Sequence, residues 1–292
     1  MDIENILQQA IALSKTNWIH AIHLLTSAED DHPDDTRLQT MIADLHFFRL
    51  QYKLALKHYL KALSSDPGNT RIIHAIASCY MANNDYRLAL AYFKRIPNPT
   101  DDVLYNTGYL YAILGRHKEC ISIMKELLVR LPDHPFVYYV LIEQHYELGL
   151  HDEALRYIRL AEKKAGKQQQ LNLLAALVYS AKEQWLPVYY HYNQAETMGS
   201  INNLDHYLRY ANAASVIGLS ERALRILFQA EIKWPYIGDI YIMLLRILIK
   251  RKEYKQADQV VKRAKKNLRQ LPSTILLLIE RMKIELEKEP QP

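Results

Sequence analysis

Residues 104–132, LYNTGYLYAILGRHKECISIMKELLVRLP, contain the pattern on which the rest of the chain is built. Apolar and small residues recur at three- and four-residue steps on both sides of Gly115, in residues 104–111 and again in residues 120–127. Pro132 ends the second run, because proline cannot continue a helix. The spacing predicts two short helices joined by a tight turn. A hairpin of this size cannot bury its apolar face unless copies of itself pack on either side.

The pattern recurs with a period of 34 residues. Pro33 and Pro67 stand one period apart, and so do Ala21 and Ala55. Together with Gly115, these residues resemble the tetratricopeptide repeat (TPR), which has a glycine in its turn, small residues where its helices cross and a proline at its end. The resemblance implies an all-α fold, a right-handed superhelical α-solenoid of about eight helical hairpins with a C-terminal capping helix.

The repeat pattern also predicts the domain organisation. One array occupies residues 1–271, and residues 272–292 form the capping helix and a short disordered tail, Glu289 to Pro292. Apolar residues at helical spacing from Ile275 to Leu286 predict one buried face on that helix. The predicted repeats are 2–34, 36–68, 70–100, 101–134, 135–168, 169–202, 204–237 and 238–271.

One repeat is irregular. The third ends early at Pro97, and the fourth begins three residues sooner than the period requires. We therefore expect the stacking between repeats three and four to change locally, since proline cannot continue the helix.

Composition agrees with a helical protein that has an ample core. The chain has 292 residues, of which 49% are hydrophobic and 24% charged, and only 8 are glycine. No apolar run approaches the length of a membrane span, and the N-terminus does not resemble a secretory signal. The two cysteines, Cys79 and Cys120, predict buried thiols in a reduced compartment. We expect a cytoplasmic protein.

The sequence shows no catalytic motif, so we expect neither an enzyme nor a cofactor. It has no glycine-rich phosphate loop, nucleophile elbow or Cys-x-x-Cys pair. His20 and His23 lie one turn apart, but no carboxylate or cysteine of that helix completes a metal site. Ordinary surface histidines are the favoured interpretation.

The resemblance implies that the first helices line a concave groove, through positions 2, 5, 9 and 12 of each repeat. In repeats four and five these positions carry aromatic residues that packing within the repeat does not require. We expect Tyr109 and Tyr139 to be largely exposed and to bind a partner, although such aromatics can also be incidental or pack against a neighbouring repeat. The predicted groove residues are Arg37, Asp44, Phe47, Arg71, His74, Ser78, Tyr105, Tyr109, Phe136, Tyr139, Glu143 and Tyr146.

A second candidate surface is basic. Residues 250–269 contain nine lysines and arginines against two carboxylates, in a chain whose whole net charge is +5. A solvated helix face is the usual interpretation, and contact with an acidic protein, nucleic acid or an anionic membrane is the alternative. The candidate contacts are Lys262, Arg263, Lys265 and Lys266.

These observations predict a protein-interaction scaffold, adaptor or chaperone that binds a peptide or helix of a partner. The Lys/Asn clamp with which the family binds chaperone C-termini is missing from the groove positions, which argues against an Hsp90 co-chaperone. Bacterial secretion and pilus-assembly systems use members of this family, so a component of such a system is one partner that the resemblance suggests. We rank nucleic acid below peptide, and an RNA- or anionic-membrane-associated adaptor is the alternative function. We expect a monomer or a weak homodimer through the C-terminal helix.

Overall fold

A computed structural model describes residues 2–287, and this part of the chain contains seventeen α-helices and no strand. The all-α repeat fold is therefore confirmed. Within a hairpin the two helices pack closely, as α3 does with α4 and α11 with α12. The helices are α1 (Ile3–Thr16), α2 (Trp18–Glu29), α3 (Thr36–Phe48), α4 (Tyr52–Ser65), α5 (Thr70–Ala82), α6 (Tyr86–Phe93), α7 (Asp101–Ile113), α8 (His117–Arg130), α9 (Pro135–Glu147), α10 (His151–Lys164), α11 (Gln169–Ala181), α12 (Trp185–Met198), α13 (Leu204–Val216), α14 (Ser220–Lys233), α15 (Gly238–Lys250), α16 (Tyr254–Asn267) and α17 (Ser273–Glu287).

From the second hairpin onwards, the turn inside each hairpin is built in the same way. The second residue after the first helix adopts a positive φ, which reverses the chain and lets the next backbone amides reach the free carbonyl groups of the helix. In the hairpin of α7 and α8, for example, the amide of Arg116 donates to the carbonyl of Tyr111 at 2.8 Å. Residues in this conformation stand at Leu50, Asn84, Gly115, Gly149, Glu183, Gly218 and Lys252.

Alanines recur at one position of the second helices. Ala55 in α4, Ala154 in α10 and Ala223 in α14 are each completely buried. A methyl group at the crossing allows two helix backbones to approach, and a larger side chain would force them apart.

Two tyrosines at the start of first helices are tied to the preceding turn. Tyr138 donates its hydroxyl to the carbonyl of Pro132 at 2.8 Å, and Tyr241 donates to the carbonyl of Pro235 at 2.7 Å. The carbonyl of the proline that ends one hairpin thus accepts a hydrogen bond from a tyrosine of the next hairpin. The buried hydroxyl group of that tyrosine therefore has a hydrogen-bond partner.

The third hairpin is shortened, as the prolines predict. Helix α6 has 8 residues, whereas α4 and α8 each have 14. The residues of positive φ recur 34 residues apart over most of the chain, but Asn84 and Gly115 are only 31 apart. The early stop therefore makes α7 begin sooner after α6 than the period requires. Tyr105 and Tyr109 lie on α7.

The chain divides into two compact units, Met1–Gln144 and His145–Pro292. The boundary falls inside α9, a position that the repeat pattern does not mark. In the first unit, one apolar cluster includes Leu25 and Leu38 and another includes Tyr59 and Ile76. In the second unit, a contiguous core extends from Ala176 to Met282.

Helix α17 covers part of the last hairpin in the second unit. Ile275 and Met282 are buried, and Leu278 packs against the same core. The prediction that Leu286 shares this buried face is wrong, since its side chain is 45% exposed near the end of the helix. The predicted disordered tail, Glu289 to Pro292, lies outside the described residues.

Both cysteines are buried and free, as predicted. Burial raises the pKa of the Cys79 and Cys120 thiols to about 12. Each is therefore an inert thiol at neutral pH, because only the thiolate is a strong nucleophile.

Candidate functional site

Aromatic rings form a connected series in the first unit. Tyr105 and Tyr109 lie one turn apart on α7, with ring centroids 6.5 Å apart and planes only 6° from parallel. The ring of Tyr105 also approaches His134, at 6.3 Å, in the turn before α9. The two tyrosines therefore present one face of α7 towards the beginning of the next hairpin.

The series continues along α9. His134 and Phe136 have centroids 5.8 Å apart, and Phe136 meets Tyr139 edge to face at 5.7 Å. Spacings of this kind are those of favourable aromatic pairs. We call Tyr105, Tyr109, His134, Phe136 and Tyr139 the aromatic surface.

The exposure of these rings differs from the prediction at one position. Phe136 is 56% exposed and Tyr109 is 43% exposed, so both can contact another molecule. Tyr105 is half-buried. Tyr139 is only 7% exposed, and the expectation that it is largely exposed is wrong. Burial raises the pKa of the hydroxyl groups of Tyr105 and Tyr139.

The burial of Tyr139 follows from the character of α9. All six residues from Val137 to Ile142 are buried. A helix segment that is apolar on every side is buried on every side, so it has no exposed concave face at this level. Tyr139 supports the ring of Phe136 and cannot itself serve as a ligand anchor.

A cavity opens beside the aromatic surface. Its volume is about 480 Å³, and it lies where α7, the end of α8 and the start of α9 meet. Its lining includes both a fully buried side chain, Leu127, and an exposed one, Phe136. The lining residues are Asp101, Asp102, Tyr105, Asn106, Leu127, Leu131, His134 and Phe136.

Two carboxylates stand at this cavity, in the first turn of α7. Asp101 forms an ion pair with Arg130 at 3.3 Å. Asp102 accepts a hydrogen bond from the Thr100 hydroxyl and lies 3.2 Å from His74 Nε2. The hydrogen bond from Thr100 is the main reason why the pKa of Asp102 is lowered, with a smaller contribution from His74 and with burial acting in the opposite direction. Asp102 is thus ionised at neutral pH and still 63% exposed at its side chain.

Other predicted groove residues are engaged with one another. Arg71 pairs with Asp44 at 2.7 Å, and Arg37 pairs with Glu4 at 3.1 Å, so that these charges link successive first helices. Exposed pairs of this kind add little stability. Their charges are already compensated, which makes Arg37, Asp44 and Arg71 weaker candidates for ligand contact than the aromatic surface.

The other predicted groove residues of repeats two and three, Phe47, His74 and Ser78, also have contacts within the protein. Phe47 packs edge to face against Tyr52 at 5.4 Å. His74 packs against Phe93 at 5.4 Å, and its carbonyl accepts a hydrogen bond from the Ser78 hydroxyl at 2.9 Å.

The last two predicted groove residues belong to different units. Glu143 is exposed on the part of α9 that lies in the first unit. Tyr146 lies in the second unit, where its half-buried ring contacts His151 at 5.6 Å.

The four basic candidates of α16 are not equivalent. Lys262 pairs with Asp258 at 2.8 Å, and Arg263 pairs with Glu231 at 2.7 Å. Lys265 and Lys266 are exposed in the last turn, where the helix dipole favours cations. Half of the predicted basic patch is therefore already compensated by neighbouring carboxylates.

Sequence reasoning did not identify several cavity residues. A signal existed for Asp102, which occupies position 2 of its repeat, one of the positions used to predict the groove. Leu127, Leu131 and His134 come from the second helix and the following turn, and only the packing of the helices places them beside α7.

Within residues 2–287, no group of three or more histidine, cysteine or acidic side chains is arranged to hold a metal ion. In the same range, no helix has both the length and the apolar character needed to cross a bilayer.

Comparison with known proteins identifies the repeat. The sequence model of the tetratricopeptide repeat family matches residues 51–107. No curated protein matches the sequence of this chain.

Three solved structures illustrate the similarity of fold. The C-terminal part of a TPR repeat-containing protein from Cytophaga hutchinsonii is 15% identical, with a TM-score of 0.66 over 82% of this chain and 99% of that one. PilW, a widely conserved type IV pilus biogenesis factor, is 18% identical, with a TM-score of 0.52 over 68% of this chain and 94% of its own. YrrB, a TPR protein with an unusual peptide-binding site, is 18% identical, with a TM-score of 0.51 over 60% and 91%. The similarity of structure establishes a shared fold, and at identities this low it establishes the fold alone.

Proposed function

We propose, from the premise that this chain is a tetratricopeptide-repeat protein, that it is a non-catalytic scaffold which binds a segment of a partner protein at the aromatic surface. The observation that carries the proposal is the pair of exposed rings, Phe136 and Tyr109, beside the cavity of about 480 Å³.

The rings suit a binding role because their exposure has a cost in water. Phe136 leaves more than half of its surface exposed, although burying it would be favourable by roughly 1.5–3 kcal/mol. Large aromatic side chains of this kind are common anchors in protein interfaces. The ring of Phe136 already contacts Tyr139 and His134, so binding would cost it little conformational entropy.

The cavity indicates which segment would fit. Leu127, Leu131 and Tyr105 offer apolar contacts for one bulky side chain of the partner. Asp102 adds a negative charge at the same cavity and favours a lysine or arginine next to that side chain. The ligand that we propose is a peptide with a bulky apolar residue adjacent to a basic one.

The solved relatives are compatible with this role. YrrB is described as having a peptide-binding site and PilW as a pilus biogenesis factor. A component of a bacterial assembly or secretion system is a partner consistent with that similarity, and adaptor or chaperone work in the cytoplasm is part of the same proposal.

A peptide library displayed on phage and selected on the intact chain tests the proposal. We expect selected peptides to place an apolar residue beside lysine or arginine. Phe136→Ala and Tyr109→Ala should each weaken the binding of those peptides by about 2 kcal/mol, the scale of an interface hot spot. Asp102→Asn should reduce the preference for the basic residue.

Tyr190→Ala is the matched control, because Tyr190 is 50% exposed on α12 in the second unit. Peptides that bind all three alanine variants equally well would place the binding surface elsewhere. Tyr139 is unsuitable for this test, since truncating a buried ring would disturb packing.

A further inference from the structure

A second cavity lies in the second unit, between α15 and the capping helix α17. Its volume is about 650 Å³. It is lined by Arg246, Ile249, Lys250, Lys252, Leu278, Arg281 and Glu285. Four of the seven are cationic and one is anionic, and the two others are apolar.

Two of the cations are uncompensated. Arg246 and Lys250 stand one turn apart on α15, both exposed, and no ion pair links either of them to another residue between 2 and 287. Nearby arginines behave differently: Arg251 binds Glu221 and Glu253, and Arg263 binds Glu231. Arg246 and Lys250 thus place two unpaired positive charges on the part of α15 that lines the cavity.

The carboxylate in the lining does not neutralise this charge. Glu285 is bound by Arg281 at 3.3 Å and accepts a hydrogen bond from the Tyr254 hydroxyl at 3.3 Å. Its negative charge is thus matched within α17. Arg246 and Lys250 keep their positive charge on the opposite wall.

The remaining lining is apolar. Ile249 is only 4% exposed, and the half-buried Leu278 packs against the core of the second unit. The cavity thus combines an apolar floor with cations at its sides. We call Arg246, Ile249, Lys250, Leu278 and Arg281 the cationic cleft.

We propose that the cationic cleft binds an acidic segment of a partner protein. Carboxylates of that segment pair with Arg246 and Lys250, and an apolar side chain between them lies on Ile249 and Leu278. Charge complementarity of this kind steers association and fixes the register of a bound chain.

Two other anionic partners fit the cleft less well. Single-stranded nucleic acid is held by stacking of its bases on aromatic rings, and the lining of the cleft contains none. A bilayer surface is broad and flat, so it would meet the exposed cations without entering a cleft between two helices. A narrow peptide chain can satisfy both the charges and the floor.

The inference does not depend on the aromatic surface. The two sites belong to different units and favour ligands of opposite charge. A peptide selected on Phe136 and Tyr109 should be basic, whereas a ligand of the cleft should be acidic, so failure of one proposal leaves the other intact.

Fluorescence anisotropy at low ionic strength tests the proposal, with a short labelled peptide in which glutamates and aspartates flank leucine. We expect the intact chain to bind this peptide and the double variant Arg246→Gln, Lys250→Gln to bind it about tenfold more weakly, the effect of losing two exposed charge pairs. The matched control is Lys265→Gln with Lys266→Gln, which removes the same charge from α16 and should leave binding unchanged.

Three probes separate a built site from general attraction to positive charge. The same peptide with serine in place of leucine should bind more weakly, because it cannot use the apolar floor. An oligouridine of equal charge and vesicles containing phosphatidylserine should bind more weakly than the leucine peptide. Equal loss of binding in both double variants, or preference for oligouridine or vesicles, would overturn the proposal.

Discussion

At the scale of single residues, the same side chain has different roles according to its position in the repeat. Tyr138 and Tyr241 are buried and bond the carbonyl of a proline six residues earlier, so they hold two hairpins together. Tyr109 has no such position and remains 43% exposed. A phenol that the fold leaves partly uncovered is available for binding.

Buried histidines form another recurring contact. His58 lies 2.8 Å from Gln39, and His191 lies 2.9 Å from Asn172, each pair joining the two helices of one hairpin. Burial lowers the pKa of His58, and it lowers the pKa of His191 to about 4. Both imidazoles are therefore neutral in the folded protein at neutral pH.

We predict that acid destabilises the protein partly through His191. An unfolded histidine takes up a proton near pH 6.5 and the folded one only near pH 4, so acidification through this window favours the unfolded state. Replacing His191 by glutamine removes the titration. The free energy of unfolding of the wild type should fall by about 2 kcal/mol more than that of the variant between pH 7 and pH 5.

Urea denaturation at the two pH values measures this difference. His20→Gln is the control, because it makes the same substitution at an exposed position and keeps the buried imidazole of His191. If His191→Gln and His20→Gln lose stability in parallel on acidification, the buried imidazole is not the group responsible.

At the scale of helices and turns, the ends of the first helices from α3 to α15 are a regular feature of the chain. Three of the seven turn residues with positive φ are glycine, and the others carry side chains. Leu50 is the most unfavourable of them, since a branched apolar residue gains nothing from the left-handed conformation. Its side chain is 71% exposed and contributes little packing.

We predict that Leu50→Gly stabilises the protein by about 0.5–1 kcal/mol. Glycine adopts a positive φ without steric cost, and this gain exceeds its greater loss of backbone entropy. Leu54→Gly is the control, because Leu54 is also exposed but lies within α4, where glycine should cost about 1 kcal/mol. Chemical denaturation of the two variants should give shifts of opposite sign, and a loss of stability in both would contradict the strain assigned to Leu50.

The helices could be predicted from the sequence because their signals are local. Ala55 and Ala154 mark the crossings, Gly115 and Gly149 mark the turns, and Pro97 marks the early end of the third repeat. The site could be predicted only in part. Tyr105, Tyr109 and Phe136 follow from repeat positions, whereas the cavity also needs residues such as Leu131 and His134, which reach it only through packing between helices.

Tyr139 shows why repeat position alone does not predict the exposure of a side chain. Its repeat position predicts a place in the groove, but the run from Phe136 to Ile142, FVYYVLI, is apolar or aromatic at every step. A continuous apolar run predicts a helix buried on all sides, and in α9 that signal outweighs the position in the repeat. This run ends at Ile142, two residues before the first unit ends at Gln144.

At the scale of the whole molecule, stability is a sum of local terms. Each hairpin of a repeat protein contacts only its neighbours, so free energies of opening can differ along the chain. In the second unit the contrast is large between two helices of similar length. Helix α15 buries seven apolar side chains, Ile240, Tyr241, Leu244, Leu245, Ile247, Leu248 and Ile249, whereas α17 buries Ile275 and Met282.

We predict that backbone amides of α17 exchange with solvent at least about tenfold faster than those of α15, a difference of ~1.4 kcal/mol in opening free energy. Fewer buried side chains hold α17 to its neighbours, and each contributes roughly 1.5–3 kcal/mol when covered. Hydrogen exchange with mass spectrometry on the intact chain resolves the two helices. Met282→Ala should speed exchange in α17 further and leave α3, in the first unit, unchanged. Equal protection of α15 and α17 would mean that the capping helix opens only together with the hairpin it covers, and that the local terms are not independent there.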